Sequence, residues 1–91
     1  MPYIKIEDRK RLDTGITFLN VQIENEGELN YVISQLCAKY VRKVGINYKN
    51  LKSAIGVMEC VKLEFSRRMV NSYEDSKIKE NGDISEYENK K

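Results

Sequence analysis

The chain predicts an all-α fold, a three-helix antiparallel bundle with a long third helix and an extended N-terminal arm, and three observations carry that prediction. Apolar residues recur at spacings of three and four along three separate stretches. Glycines stand at the joints between the stretches, and the only proline is residue 2, so nothing breaks a helix from inside. With 41% hydrophobic and 33% charged residues in 91, the composition is that of a globular, helix-favouring domain. A chain of this length buries only a little over roughly 60% of its unfolded surface. Small helical proteins with wide apolar faces compensate by assembling, so a homo-oligomer is expected.

Residues 1 to 6, MPYIKI, set Tyr3 and Lys5 against Ile4 and Ile6 in the alternation of a short strand or extended arm. An arm that short must lie on the body of the protein or on a neighbour. Asp8 is the expected cap of a first helix running to about Asn25, with Leu12, Ile16, Leu19 and Ile23 on one stripe. Gly15 weakens this helix, and Gly27 is expected to end it in the left-handed conformation. Phe18 and Val21 lie off the stripe and suggest either loop packing or a second contact surface.

A second helix is expected from about Glu28 to Val44, closed by Gly45. Leu29, Val32, Ile33, Leu36, Tyr40 and Val44 form its face, and Cys37 and Val41 widen the apolar arc to about 180°. So broad an arc contacts more than one helix. Asn30 and Ser34 lie at its margin, and Tyr31 points away, exposed unless another subunit covers it.

Asn47 caps the long third helix, which runs to about Lys79. Its core stripe is Leu51, Ile55, Met58, Phe65 and Met69, with Ala54 and Val61 beside it. Nearly opposite lies a narrower strip of Ser53, Gly56, Cys60 and Leu63, edged by Val70. Its small residues leave a groove that another backbone can enter; otherwise Gly56 is a tolerated weak spot costing about 1 kcal/mol relative to Ala. Residues 1–80 read as a single helical domain with its arm. Residues 81–91 read as a loosely ordered polar tail opened by Asn81-Gly82, with Ile84 and Tyr87 docking on the body.

The absence of histidine removes the commonest general base near neutral pH and the usual serine triad. Cys37 and Cys60 fall on different helices, form neither a CxxC pair nor a zinc spacing, and are expected to be free buried thiols. No Gly-rich phosphate loop or EF-hand is present, and Glu59 and Glu64 project about 140° apart. No enzyme, cofactor or metal is expected. The formal charge of +2 falls far short of the basic excess of a non-specific DNA binder, and nucleic acid is not expected as a partner. With neither a leader nor a membrane-spanning run, the chain is expected to be a soluble cytoplasmic protein with no membrane partner.

What remains is binding. Lys62 stands within about 20° of Leu51 and Met69 on the helical wheel, where a plain bundle wants leucine. One reading is a lysine whose stem covers apolar surface and whose head pairs with Glu59 at i, i+3. The other is an anion site where Lys62, Arg67, Arg68 and Tyr73 converge. Arg67 offers a planar fork for phosphate and Lys62 a point charge. Tyr31 and Tyr73 offer faces for a base, Asn30 and Glu59 hydrogen bonds to hydroxyls or base edges, and Arg9 with Lys5 a closure from the arm. Glu64 with Arg67 or Arg68 also makes ordinary helix-surface pairs worth about 0.3 to 0.5 kcal/mol. Because Lys62 and Arg67 project about 140° apart, a shared pocket requires a second chain or a bend near Ser66.

Several phrases bear a resemblance: MPYIK with EDR, GELNYVI, IGVMECVKLEFSRR, and YEDSKIKENGD. Across residues 1–84 they resemble a family of small uncharacterised proteins of phages and related bacteria. Members carry an aromatic residue where this chain has Ser66 and a proline where it has Ser72. The first departure weakens any stacking role at position 66, and the second favours an unbroken third helix. The resemblance implies a phage setting. In size and setting such proteins are similar to sponges that sequester nucleotide immune signals, the cyclic ADP-ribose species of Thoeris or the cyclic oligonucleotides of CBASS. The expected function is sequestration of such a signal in a homo-oligomer. Lys62, Arg67 and Arg68 would hold phosphates, Tyr31 and Tyr73 flank the base, and Asn30, Glu59 and Arg9 complete the pocket. The alternatives are an adaptor that binds a host protein through Phe18, Val21, Leu63 and Val70, and a nucleic-acid regulator using Arg9, Lys10, Arg11 and Arg67.

Overall fold

The computed structural model describes residues 4–88, whose regular elements are all helical, with no strand among them. The chain divides into two units that meet between Ala54 and Ile55.

In the first unit, α1 spans Ile6–Gln22. The Lys5 backbone is extended, and its carbonyl accepts from the Asp8 and Arg9 amides at 3.0 and 3.1 Å, so helix begins at once behind it. The expected arm is therefore shorter: Ile6 is helical, and Asp8 lies in the first turn instead of capping it. A four-residue alternation is too brief to hold a strand where Glu7 and Asp8 favour a helix N-terminus. Tyr3 and the rest of residues 1–3 lie outside the described residues.

The first joint also differs from expectation. α1 stops at Gln22 and α2 spans Glu26–Val44, so Gly27 lies inside the first turn of α2 and terminates nothing. Asn25 is the punctuation: its Oδ1 accepts from the Glu28 amide at 2.9 Å, while Glu28 Oε1 accepts from the Glu24 amide at 2.8 Å. Two orphan donors are satisfied reciprocally, close to the pattern of a capping box. A Cβ on Gly27 would come within 3.3 Å of the capping oxygen, so glycine leaves room for the cap.

The second joint follows expectation. Gly45, at φ 119°, closes α2 with its amide donating to the Val41 carbonyl at 2.8 Å. Asn47 Oδ1 accepts from the Asn50 amide at 2.8 Å and starts α3, Tyr48–Phe65. Asn50 Nδ2 reaches back to the Gly45 carbonyl at 2.9 Å and tethers the corner.

In the second unit the helical backbone continues without a break through a π turn, Ser66–Val70, into α4, Asn71–Asn81. Within the π turn the Asn71 amide donates to the Ser66 carbonyl, five residues back. The helix passes through Ser72 and ends at Gly82, φ 85°; a short 3-10 turn, Ser85–Tyr87, follows. No helix among the described residues is long and apolar enough to cross a membrane.

Val41, 6% exposed, is the one buried residue among those described. α1 and α2 do not pack along their lengths. They leave an apolar groove at their corner lined by Leu19, Val32 and Leu36. The stripes of every helix stay partly open, Leu29, Leu36 and Tyr40 on α2 and Met58, Phe65 and Met69 on the long helix among them. The expectation of buried thiols fails for the same reason: Cys60 is exposed and Cys37 half-buried, because no neighbouring element covers them. A Cβ on Gly56 would meet nothing within 4 Å, so no backbone enters the small-residue groove in the single chain.

Candidate ligand-binding site

The cations singled out in the sequence lie in the second unit. Lys62, near the end of α3, has a side chain 71% exposed, and its Nζ lies 3.5 Å from Glu59 Oε1. This is the i, i+3 pair that the spacing allowed. Arg67 and Arg68 lie within the π turn and share one acid. Arg67 Nη2 donates to Glu64 Oε2 at 2.6 Å and to Oε1 at 3.2 Å, while Arg68 Nε stands 3.7 Å from the same Oε2. The hydrogen bond from Arg67 holds the Glu64 carboxyl below its ordinary 4.5, and the charges of Arg67 and Arg68 act in the same direction.

The π turn bears on how these groups lie. Its hydrogen bonds span five residues instead of four, so each residue advances by less than 100° about the axis. The 140° or so that a regular helix sets between Lys62 and Arg67 therefore does not carry over unchanged.

Tyr73 lies one turn further along, its ring 5.7 Å from Lys77 Nζ. Both line an open cleft with Ile78, Asn81, Asp83 and Tyr87, formed where the chain folds over after Gly82. The i, i+4 spacing of Tyr73 and Lys77 was readable in advance. Tyr87 was expected to dock on the body after the Asn81-Gly82 turn; its place beside Tyr73 depends on the positive φ at Gly82.

The remaining candidates lie in the first unit. Asn30 and Tyr31 line an open depression on α2 with Glu26, Gly27 and Ser34. Asn30 Oδ1 accepts from Ser34 Oγ at 3.2 Å, and the exposed Tyr31 hydroxyl accepts from Gln35 Nε2 at 3.1 Å. Arg9 is engaged locally, its Nε donating to the Ile4 carbonyl at 2.9 Å. Within that unit, Arg9 lines none of the depressions that hold Asn30 and Tyr31. Within the second unit, the cleft around Tyr73 includes neither Lys62 nor the two arginines. Among the described residues no group of three or more Cys, Asp or Glu is placed to hold a metal ion.

Together these features define an all-helical protein whose last helical run carries Lys62, Arg67 and Arg68 on open surface. The chain belongs to the family described as a domain of unknown function, DUF6899, whose model matches residues 1–84. No curated protein and no solved structure matches the chain.

Proposed function

We propose that this protein binds and sequesters, without cleaving, a nucleotide-derived immune signal of the cyclic ADP-ribose or cyclic oligonucleotide type, as a phage anti-defence protein. The reading places the ligand in a basic pocket completed when copies of the three-helix chain assemble as an antiparallel bundle. One observation carries it: Arg67 and Arg68 converge on the single carboxylate of Glu64, on exposed surface. A surface pair of this kind contributes little to stability. A phosphate presents more charge and more acceptor oxygens to the same guanidinium forks and displaces the carboxylate. Lys62 adds a point charge, Tyr31 and Tyr73 stack on the base, and Asn30, Glu59 and Arg9 bond to hydroxyls and ring edges. A sponge needs only such binding groups. The phage setting rests on the resemblance of the GELNYVI, IGVMECVKLEFSRR and YEDSKIKENGD phrases.

The test is a thermal-shift screen over cyclic dinucleotides, cyclic trinucleotides and ADP-ribose derivatives. A ligand at a hundredfold excess over its Kd raises the melting temperature by on the order of 10 °C. The bound molecule is released intact on denaturation, and Arg67→Ala abolishes the shift. No shift with any of them, for an assembled oligomer, ends this reading. A second reading, a protein-binding adaptor, is favoured by the exposure of Phe18, Val21, Leu63 and Val70 off the main stripes. An adaptor binds its host protein without responding to nucleotides.

A further inference from the structure

We infer that α2 is a self-association surface: two copies pair their α2 helices antiparallel across a two-fold axis, and this seam supplies core that one chain lacks. The inference goes beyond nucleotide binding and holds with or without a ligand.

The face is built from Leu29, Ile33, Leu36, Tyr40 and Val44, all exposed in the single chain. These five share one side of a helix whose opposite side is polar, and the groove at the α1–α2 corner continues the face through Leu36. Each large apolar side chain carries roughly 60 to 120 Å² that burial removes from water. The exposed part of these five side chains comes to about 150 to 300 Å² per copy.

Charge says which occupant fits and in which direction. Glu26 and Glu28 stand in the first turn of α2, and Arg42 and Lys43 in the last. Among the described residues none of the four is in an ion pair within the chain, whereas the ion pairs of the long helix are formed within it. The same helix turned end for end brings the acidic start of one copy beside the basic end of the other, and opposes the two helix dipoles favourably. A closed, isologous pair follows, with Leu36 near its axis.

The experiment uses the full chain without nucleotide, in a Cys37→Ser, Cys60→Ser background. Sedimentation shows an oligomer, and a hundredfold dilution lowers the melting temperature by about 5 to 10 °C. Under oxidation Leu36→Cys gives a covalent dimer, because position 36 meets its own copy across the axis. Leu29→Cys or Val44→Cys alone does not, since these positions sit about 20 Å or more from their own copies and a disulfide spans at most about 7 Å between Cα atoms. A monomer with sharp, dilution-independent melting would show that the chain covers its own faces and overturn the inference. A monomer without cooperative melting would assign the faces to a foreign partner and overturn it equally. Cross-linking at all three positions would mean parallel pairing, and would overturn the proposed seam.

Discussion

Glu64 links the two arginines of the long helix, so its protonation state has a stability consequence of definite sign. The Arg67 hydrogen bond depresses its folded pKa below 4.5, and the ion pair therefore stabilises the fold above that value. The contribution is lost as pH falls below 4.5 through the folded pKa. Glu64→Gln is expected to flatten the acid limb of a stability-against-pH curve in that window, as urea melts below and above pH 4.5 would register. Lys62 behaves differently. Its pair with Glu59 is long and solvated, so Lys62→Met should change stability by no more than about 0.5 kcal/mol in chemical denaturation, while weakening any phosphate ligand. Both ion pairs were legible from spacings of three and four. The sharing of one carboxylate between Arg67 and Arg68 was not, because either arginine alone satisfies the spacing.

Helix starts and stops are set by local chemistry, and substitutions there have calculable costs. Asn47→Ala removes the cap of α3 and should destabilise by about 1 kcal/mol. Gly45→Ala forces a side chain into a backbone region that only glycine occupies freely, at a cost of about 1 to 3 kcal/mol. Gly15→Ala has the opposite sign: a Cβ there meets nothing within 4 Å, and helix propensity should raise stability by about 0.5 to 1 kcal/mol. Urea midpoints at constant slope measure all three. The closing glycine at 45 and the cap at 47 were readable because a cap needs only residues three or four apart. Gly27 misled, since Asn25 and Glu28 already formed a reciprocal cap around it. The π turn left no mark: Ser66–Val70 contains neither proline nor glycine, and wheel positions beyond it assume a period that it breaks.

At the scale of the whole molecule, the decisive quantity is the apolar surface each unit leaves open. Val41 alone is buried among the described residues, too little to oppose the conformational entropy of ordering residues 4–88. Under the proposed α2 pairing, stability is expected to grow with protein concentration, and Leu36→Glu, at the centre of the α2 face, should lower the melting temperature and the oligomer fraction together. By itself the sequence determined the helical class, the faces of the helices as far as the π turn, the stop at Gly45 and start at Asn47, and the continuity of the helix through Ser72. Each of these depends on hydrogen bonds and side-chain periods that reach only a few residues along the chain. Tertiary structure alone decided that the stripes stay open within each unit, and that it is Tyr73 beside which Tyr87 docks. Those outcomes depend on where backbone turns carry groups in space, and no periodicity along the chain encodes that.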